Sequence, residues 1–219
     1  MGSTAAEVTT EHIHSLAQGI RKRVLQHTLT NNGGYMSQAC SAAELLSTLY
    51  ADILHLPPVS APLLPEAFAG TPAPGGINRQ TGAIFHGGVS AEHDRLIVSP
   101  AHYALVVYAA LIEMGRLDEN ALDSFNKDGS TVEMIGAEHS PGFETTTGSL
   151  AQALSHAIGI ALARRTKKDS GKTWVFMSDG EFQEGQTWEA LHAANHYSLD
   201  SLRIIVDVNR AQVDGPKAS

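Results

Sequence analysis

Two apolar runs in this sequence lead to side chains that could bind a cation. The first run, Trp174–Met177, is followed by Asp179 and Gly180, and the second, Leu202–Val206, is followed by Asn209. Carboxylate and amide oxygens are hard donors of the kind that Mg²⁺ and Ca²⁺ select. Main-chain N–H groups near the start of a helix, beside a glycine that permits close approach, favour a bound phosphate. The pattern therefore predicts a divalent cation held against a diphosphate.

The elements that would position these residues form a β–α–β unit. Both apolar runs are short, and a helical pattern of roughly twenty residues separates them. Ligands of parallel sheets bind outside the carboxyl ends of the strands, which is where Asp179 and Asn209 fall. An Asp-Gly pair alone is most often an ordinary turn, so the prediction depends on Asn209 one unit later. The stretch contains neither the G-x-G-x-x-G nor the G-x-x-x-x-G-K-[ST] motif of nucleotide sites.

The composition is that of an ordinary soluble globular protein. The 219 residues are 42% hydrophobic and 17% charged, and this length suits one sizeable domain. The net charge of −8 argues against nucleic acid or an acidic membrane as a partner. We also expect no membrane span and no signal peptide, because no segment has the required apolar length. The single cysteine, Cys40, is expected to be buried, in a cytoplasmic protein.

The order of predicted elements indicates an α/β domain with a parallel sheet between layers of helices. Residues 1–9 are predicted to be a flexible tail and residues 10–219 a single domain. Within the domain the order is helix, helix, strand, helix, helix, strand, helix, strand. Ser41 and Glu44 predict a capping box that begins the second helix. Residues 57–92 are rich in proline and glycine, and we expect an insertion loop there rather than a linker between domains.

Several motifs together resemble those of the transketolase family of thiamine-diphosphate enzymes. Asp179, Gly180 and Asn209 are similar to the GDG…N signature of these enzymes. The resemblance covers the chain from about residue 12 to residue 215, apart from the predicted insertion. It includes the N-terminal subunits of split transketolases, whose two halves are separate chains. The other matching segments are Ser41–Leu46, Asp94–Ser99 with His102, Pro141–Leu150, Gln183–Gly185, Glu189 and Asp214–Gly215.

The resemblance implies a three-layer fold of the diphosphate-binding (PP) type, with a parallel sheet between helices. It also implies that thiamine diphosphate binds through Mg²⁺ or Ca²⁺. Asp179 and Asn209 would bind the metal through their side chains, and Ala211 through its main-chain carbonyl. The residues that would lie against the cofactor are Gly148, Ser149, Leu150, Ser178, Asp179, Gly180, Glu181 and Asn209.

The resemblance assigns further residues to the substrate and to the subunit interface. His102 would face the thiazolium ring and the substrate. Glu184 and Glu189 would lie near the interface, as carboxylates that link paired sites. Tyr35 stands where the family has a substrate-side histidine, and His139 could replace a second missing histidine. We expect these changes to affect ordinary sugar-phosphate transfer more than cofactor binding.

The chain departs from the family in two further ways. Ser178 replaces the first glycine of the signature, and its hydroxymethyl group is expected to crowd the diphosphate. We expect this chain to lack the pyrimidine-binding domain, which carries the glutamate that activates the cofactor in this family. The resemblance therefore implies a partner, a C-terminal transketolase-like subunit with that domain, in a heterotetramer of two copies of each chain.

Three functions are consistent with these residues. The first is the diphosphate-binding subunit of a two-chain transketolase that transfers a two-carbon ketol unit from a ketose donor to an aldehyde acceptor. The second is thiamine-dependent ligation or decarboxylative transfer on an atypical substrate, which the altered histidines permit. The third is a non-catalytic scaffold subunit, against which the intact Asp179, Asn209 and Glu184 argue.

Overall fold

A parallel sheet lies between two layers of helices in residues 8–70, 81–212 and 215–216, which the computed structural model describes. No helix within these ranges is long and apolar enough to cross a membrane. The α-helices are α1 Thr10–Asn31, α2 Met36–Thr48, α3 Ala104–Glu113, α4 Gln152–Lys167 and α5 Gly185–His196. The strands are β1 Arg95–Val98, β2 Thr173–Ser178, β3 Leu202–Asp207, β4 Ala211–Gln212 and β5 Gly215–Pro216.

The main sheet has the order β1-β2-β3, and all three strands run parallel. Ser178, at the end of β2, pairs with Asp207 at the end of β3. Because parallel strands bring their carboxyl ends to one edge of a sheet, the residues that follow them lie beside one another. Asp179 and Asn209 are at this edge, where the sequence pattern predicted them.

Alternate side chains of the strands pack against different layers of helices. Leu96, Val98 and Phe176 belong to the hydrophobic core that includes α1, α2 and α3. Ile97 and Val175 point the other way, into the core that includes α4 and α5. Successive residues of a strand face opposite sides of the sheet, so both sides are covered by helices. The predicted three-layer α/β fold class is confirmed.

The two outer strands of the main sheet are covered to different extents. On β1, the Leu96 N–H donates to Glu144 Oε1 at 3.0 Å, and the Thr147 hydroxyl donates to the Val98 carbonyl at 2.7 Å. Side chains before α4 thus satisfy the main chain of β1. Residues 202–206 of β3 are only half-buried, and no strand of the described ranges pairs with their outer side.

Two predictions about α2 are wrong. The helix begins at Met36, directly after a glycine with positive φ and Tyr35, so Ser41 and Glu44 lie inside it and form no capping box. Ser41 instead donates to Asp207 at the end of β3, with 2.6 Å between the oxygens. Glu44 forms an ion pair with an arginine of α1. Cys40 is exposed on the same helix rather than buried.

The predicted insertion loop contains a buried turn. Gly82–His86 forms a 3-10 helix with Phe85 and His86 buried, so this part of residues 57–92 is not a surface excursion. A Cβ on Gly82 would lie 1.9 Å from the Ser140 carbonyl oxygen, which explains the glycine. Residues 71–80 of the loop, residues 1–7 of the predicted tail and Asp214 lie outside the described ranges, so the domain boundaries remain predictions.

Candidate functional site

A buried carboxylate, that of Glu181, joins the segments that follow β1 and β2. Glu181 is fully buried in the 3-10 turn Asp179–Gln183. Its Oε1 accepts hydrogen bonds from the Ser99 hydroxyl and, at 2.9 Å, from the Ala151 N–H. Its Oε2 accepts from the Ser178 N–H at 2.8 Å and from the Ser178 hydroxyl at 3.2 Å. One carboxylate therefore connects the end of β1, the end of β2 and the start of α4.

The role of the Glu181 side chain was not predicted from the sequence, which placed Glu181 against the cofactor through its backbone only. Ser178 and Glu181 form a capping box, which the sequence carries as Ser-x-x-Glu. That pattern could have identified the contact. Because the Ser178 hydroxyl is directed at Glu181, the geometry argues against the expected crowding of a diphosphate by this group.

Asp179 and Asn209 lie at neighbouring strand ends and are connected through the chain that follows β3. Asp179 is 5% exposed, and its Oδ2 accepts from the Arg210 N–H at 3.2 Å. Asn209 Oδ1 accepts from the Ala211 N–H at 2.9 Å. Arg210 has a left-handed φ of 57°, which turns the chain so that its N–H meets Asp179. The Asn209–Ala211 turn is thereby fixed beside the Asp179 carboxylate.

The donors at this edge suit a divalent cation that also contacts a diphosphate. Asp179 supplies a carboxylate, Asn209 an amide oxygen and Ala211 a main-chain carbonyl, all of them hard oxygen donors. A Cβ on Gly180 would meet no atom within 4 Å, so there is open space beside the turn. No three His, Cys, Asp or Glu side chains of the described ranges gather into a metal site. Besides Asp179, a cation here would therefore need the Asn209 amide oxygen, the Ala211 carbonyl oxygen and oxygens of a bound diphosphate.

A second buried carboxylate, that of Asp207, lies at the end of β3. Its Oδ2 accepts two hydroxyl groups, from Ser41 at 2.6 Å and from Tyr103 at 2.8 Å. The pKa of Tyr103 lies far above its ordinary value. Burial is the largest cause, and the negative charge of Asp207 is the second. The Tyr103 oxygen in turn accepts from Asn209 Nδ2 at 3.3 Å. Nothing in the sequence pattern pointed to this set, because its members are distant along the chain.

His102 and Tyr35, two of the predicted substrate-side residues, lie close together. The His102 ring centroid is 5.7 Å from that of Tyr35 and 5.1 Å from that of Tyr103. Burial lowers the pKa of His102, and the charge of Glu181 only partly opposes this shift. The imidazole is therefore neutral at neutral pH and can both donate and accept a hydrogen bond. Tyr35, just before α2, is 39% exposed.

His139, the third predicted substrate-side residue, has different neighbours. Its Nε2 is 3.1 Å from Glu133 Oε2, and its ring centroid is 4.7 Å from that of Phe68. Within the described part of the chain, no hydrogen bond or ring contact joins it to His102 or Tyr35. The geometry gives no support for His139 as a replacement histidine.

The segment before α4 lies at the surface next to Glu181. Gly148, Ser149 and Leu150 are exposed. The next residue, Ala151, has a left-handed φ of 69° and donates its N–H to Glu181. This bond holds the segment beside the end of β2 and leaves its three exposed residues available to a ligand.

The two carboxylates predicted to lie at an interface are on the outside of the chain. Glu184 precedes α5 without capping it through its side chain, and Glu189 lies within the helix. Both are exposed, and neither side chain has a hydrogen bond or ion pair with a described residue. Trp188, between them, is 53% exposed. All three residues are therefore exposed at the start or within the first half of α5.

The transketolase family model for the thiamine diphosphate binding domain matches residues 88–219 of this chain. The chain is 35% identical over 201 residues to a transketolase family protein of Sinorhizobium fredii, and the match covers 91% of this chain and 62% of that protein. It is 29% identical over 195 residues to one subunit of the apulose-4-phosphate transketolase of Phocaeicola vulgatus, and this match covers 89% of the chain and 60% of that protein.

A solved transketolase from Leishmania mexicana has the same fold, with a TM-score of 0.71 at 22% identity. The superposition covers 96% of this chain and 29% of that enzyme. The chain thus spans less than two thirds of the length of each of these three proteins. Because the family model matches more than half of the sequence, the chain belongs to the transketolase family and contains its thiamine diphosphate binding domain.

Proposed function

We propose that this chain is the diphosphate-binding subunit of a two-chain transketolase-like enzyme that transfers a two-carbon ketol unit from a ketose to an aldehyde. The observation that carries the proposal is the placement of Asp179 and Asn209 at adjacent strand ends, connected by the Arg210 N–H. Family membership supplies the cofactor class, and the donor set fits a metal–diphosphate group.

Asp179, Asn209 and the Ala211 carbonyl would bind Mg²⁺, or Ca²⁺ in its place. A buried carboxylate beside an amide and a carbonyl gives a ligand set with a single negative charge, so oxygens of the diphosphate would complete the coordination. The open surface at Gly180 and the main-chain N–H groups of the turn that contains Glu181 would receive the diphosphate.

Glu181 would hold the cofactor-binding segments in place rather than contact the metal. Its four hydrogen bonds tie Ser178 to Ala151, and the exposed residues before Ala151 are Gly148, Ser149 and Leu150. Those residues would lie near the aminopyrimidine end of the cofactor. Bound thiamine diphosphate supplies the nucleophilic carbon on which ketol transfer depends, and this chain anchors its diphosphate.

His102 would act on the substrate side. Its neutral imidazole could accept a proton from a sugar hydroxyl as a general base, because burial keeps its pKa low, and its N–H could donate a hydrogen bond to a carbonyl oxygen. Tyr35, next to it, would offer a hydroxyl for a hydrogen bond to the substrate. Both residues are on this chain, whereas the glutamate that activates the cofactor would come from a partner.

A partner subunit is supported by the relatives. The Phocaeicola vulgatus protein is named as one of the subunits of its transketolase, and this chain covers 60% of it. The partner would carry the pyrimidine-binding domain in a cytoplasmic heterotetramer of two copies of each chain. The exposed Glu184, Trp188 and Glu189 would lie in the interface, where the two carboxylates would link paired sites.

The test is to co-express the chain with a candidate partner subunit that carries the pyrimidine-binding domain. We expect thiamine diphosphate to bind to the purified complex only with Mg²⁺ or Ca²⁺, as measured by titration calorimetry with and without EDTA. Ketol transfer is then assayed with a panel of ketose donors and aldehyde acceptors. Asp179→Ala should weaken cofactor binding at least roughly tenfold.

Two results would overturn the proposal. Equal affinity for the cofactor in Mg²⁺ and in EDTA would exclude the metal-diphosphate anchor. Tight cofactor binding without ketol transfer to any acceptor of the panel would replace transketolase chemistry by a different thiamine-dependent reaction.

A further inference from the structure

Four side chains form a continuous hydrogen-bonded chain that ends at the predicted metal ligand Asn209. The hydroxyls of Ser41 and Tyr103 both donate to Asp207 Oδ2, at 2.6 Å and 2.8 Å. The Tyr103 oxygen accepts from Asn209 Nδ2 at 3.3 Å. The four residues come from α2, from the segment after β1, from the end of β3 and from the turn after β3.

The direction of each hydrogen bond in this chain follows from the chemistry of the groups. A carboxylate can only accept, so Ser41 and Tyr103 must both donate their single hydroxyl proton to Asp207. The Tyr103 oxygen then has only lone pairs left for its second neighbour. That neighbour must be a donor, and the donor atom of the Asn209 amide is Nδ2.

The other end of the Asn209 amide imposes the same orientation. The Ala211 N–H donates to Asn209 Oδ1 at 2.9 Å. In the flipped amide, the NH₂ group would face the Ala211 N–H and the oxygen would face the lone pairs of Tyr103. Each of these contacts would be repulsive, so only one orientation satisfies both ends. Oδ1 retains a second lone pair that can reach a cation.

We propose that Tyr103 is a positioning residue that sets the Asn209 amide so that its oxygen, and not its nitrogen, faces the cation. The inference rests on the proposed function, because it requires Asn209 to be a metal ligand. It adds residues that the sequence did not indicate, with Asp207 and Ser41 fixing the hydroxyl of Tyr103.

The packing of Tyr103 makes it a rigid support. The residue is 2% exposed, and its ring centroid is 5.4 Å from that of Phe176 in β2. A rigid ring keeps the hydroxyl at one position between Asp207 and Asn209. Hydrogen-bond partners that orient metal ligands typically change metal affinity roughly tenfold or more when they are removed.

The test compares two buried tyrosines in the complex of this chain with its partner. Tyr103→Phe removes the hydroxyl between Asp207 and Asn209. Tyr108→Phe is the matched control, because Tyr108 is also fully buried and donates a single hydrogen bond, to the Glu133 carbonyl at 2.9 Å. The measurement is the Mg²⁺ concentration that half-saturates thiamine diphosphate binding, followed by calorimetry and without turnover.

We expect Tyr103→Phe to raise the half-saturating Mg²⁺ concentration roughly tenfold and Tyr108→Phe to leave it unchanged. Both variants should lose similar thermal stability, because each loses a buried hydroxyl. Equal Mg²⁺ requirements in the two variants would overturn the inference, since the hydroxyl of Tyr103 would then be merely structural.

Asp207→Leu provides a second test that applies even if Tyr103→Phe does not fold. Leucine has a similar branched shape but no acceptor, so the hydroxyl proton of Tyr103 is free to face Asn209 and the constraint on the amide is removed. The Mg²⁺ requirement should rise here as well, and an unchanged requirement would contradict the inference.

Failure of this inference and failure of the proposed function are distinguishable with Asp179→Ala. If Asp179→Ala abolishes Mg²⁺-dependent binding while Tyr103→Phe and Asp207→Leu have no effect, only the role of Tyr103 is wrong. If Asp179→Ala also leaves Mg²⁺ dependence intact, the metal site itself is wrong and the inference falls with it.

Discussion

The carboxyl edge of the sheet has two regions that differ in how completely this chain constructs them. In the proposed anchor region, Asp179, Glu181 and Asp207 are buried. Glu181 accepts hydrogen bonds from three segments, Asp207 from two, and Asp179 from the turn after β3. In the proposed substrate-facing region, Tyr35 and His102 contact each other through their rings, but no described residue forms a hydrogen bond with either side chain. The chain preorganises the first region and leaves the second incomplete.

This difference is expected if the chain supplies only part of an active site. Metal and diphosphate binding requires fixed oxygen donors, because a misplaced ligand costs affinity directly. Substrate contacts can remain loose until the remaining groups arrive, here with the proposed partner subunit. Changes in the anchor region should therefore affect stability and cofactor binding, whereas changes in the substrate-facing region should affect turnover alone.

The substitution His102→Ala is expected to distinguish the roles of the two regions most strongly. Loss of an acid–base group should lower ketol transfer roughly hundredfold. Thiamine diphosphate affinity should stay at the wild-type value, because His102 makes no hydrogen bond to the described residues of the anchor region. Parallel measurements of kcat and of cofactor binding on one preparation check this. A matching loss of cofactor affinity would erase the distinction between the regions.

Glu181→Gln tests the anchor region next. The amide cannot accept at both of its ends, so at least one of the donors from Ser99, Ala151 and Ser178 would lose its partner. We expect the free energy of unfolding to fall by about 2 kcal/mol in urea titrations. The exposed Glu184→Gln is the control, with a change within about 0.5 kcal/mol. Equal stability of the two variants would contradict the assigned role of Glu181.

The pH dependence of turnover gives a smaller effect with a defined sign. Burial lowers the pKa of His102, which favours the neutral imidazole. The acid limb of kcat/KM should therefore lie below the ordinary histidine range, and activity should persist as the pH falls through that range. Glu181 raises this pKa, so Glu181→Gln should move the limb to still lower pH. A limb at the ordinary histidine pKa would contradict the neutral role of His102.

The smallest effect is expected from His139→Ala. The contacts of His139 are with Glu133 and Phe68, away from the pair Tyr35 and His102. Ketol transfer should change by no more than about twofold, within the range of a surface substitution. A tenfold loss of kcat/KM would indicate that His139 does act on the substrate, as the sequence predicted.

Sequence patterns predicted the anchor region where the signal is local. Apolar runs followed by Asp179 and Asn209 define strand ends, and parallel strand ends meet by necessity. The Ser-x-x-Glu pattern of Ser178 and Glu181 is equally local and marks their capping box. The role of Ser41 was mispredicted because the pattern with Glu44 suggested a helix start, whereas α2 begins earlier.

The long-range part of the site could not be predicted. Ser41, Tyr103 and Asp207 meet only because α2 and the segment after β1 pack against the end of β3. No spacing or composition marks such a contact. The same reason explains why the neighbours of His139 could not be foreseen, since they are set by the packing of loops.

The most direct test of the central claim is a crystal of the two-subunit complex with thiamine diphosphate and Mn²⁺ in place of Mg²⁺. The anomalous signal locates the metal without any assumption about ligands. We predict one peak per copy of this chain, within about 2.3 Å of an Asp179 carboxylate oxygen, Asn209 Oδ1 and the Ala211 carbonyl oxygen. A cofactor bound with its metal peak away from Asp179 and Asn209 would contradict the account.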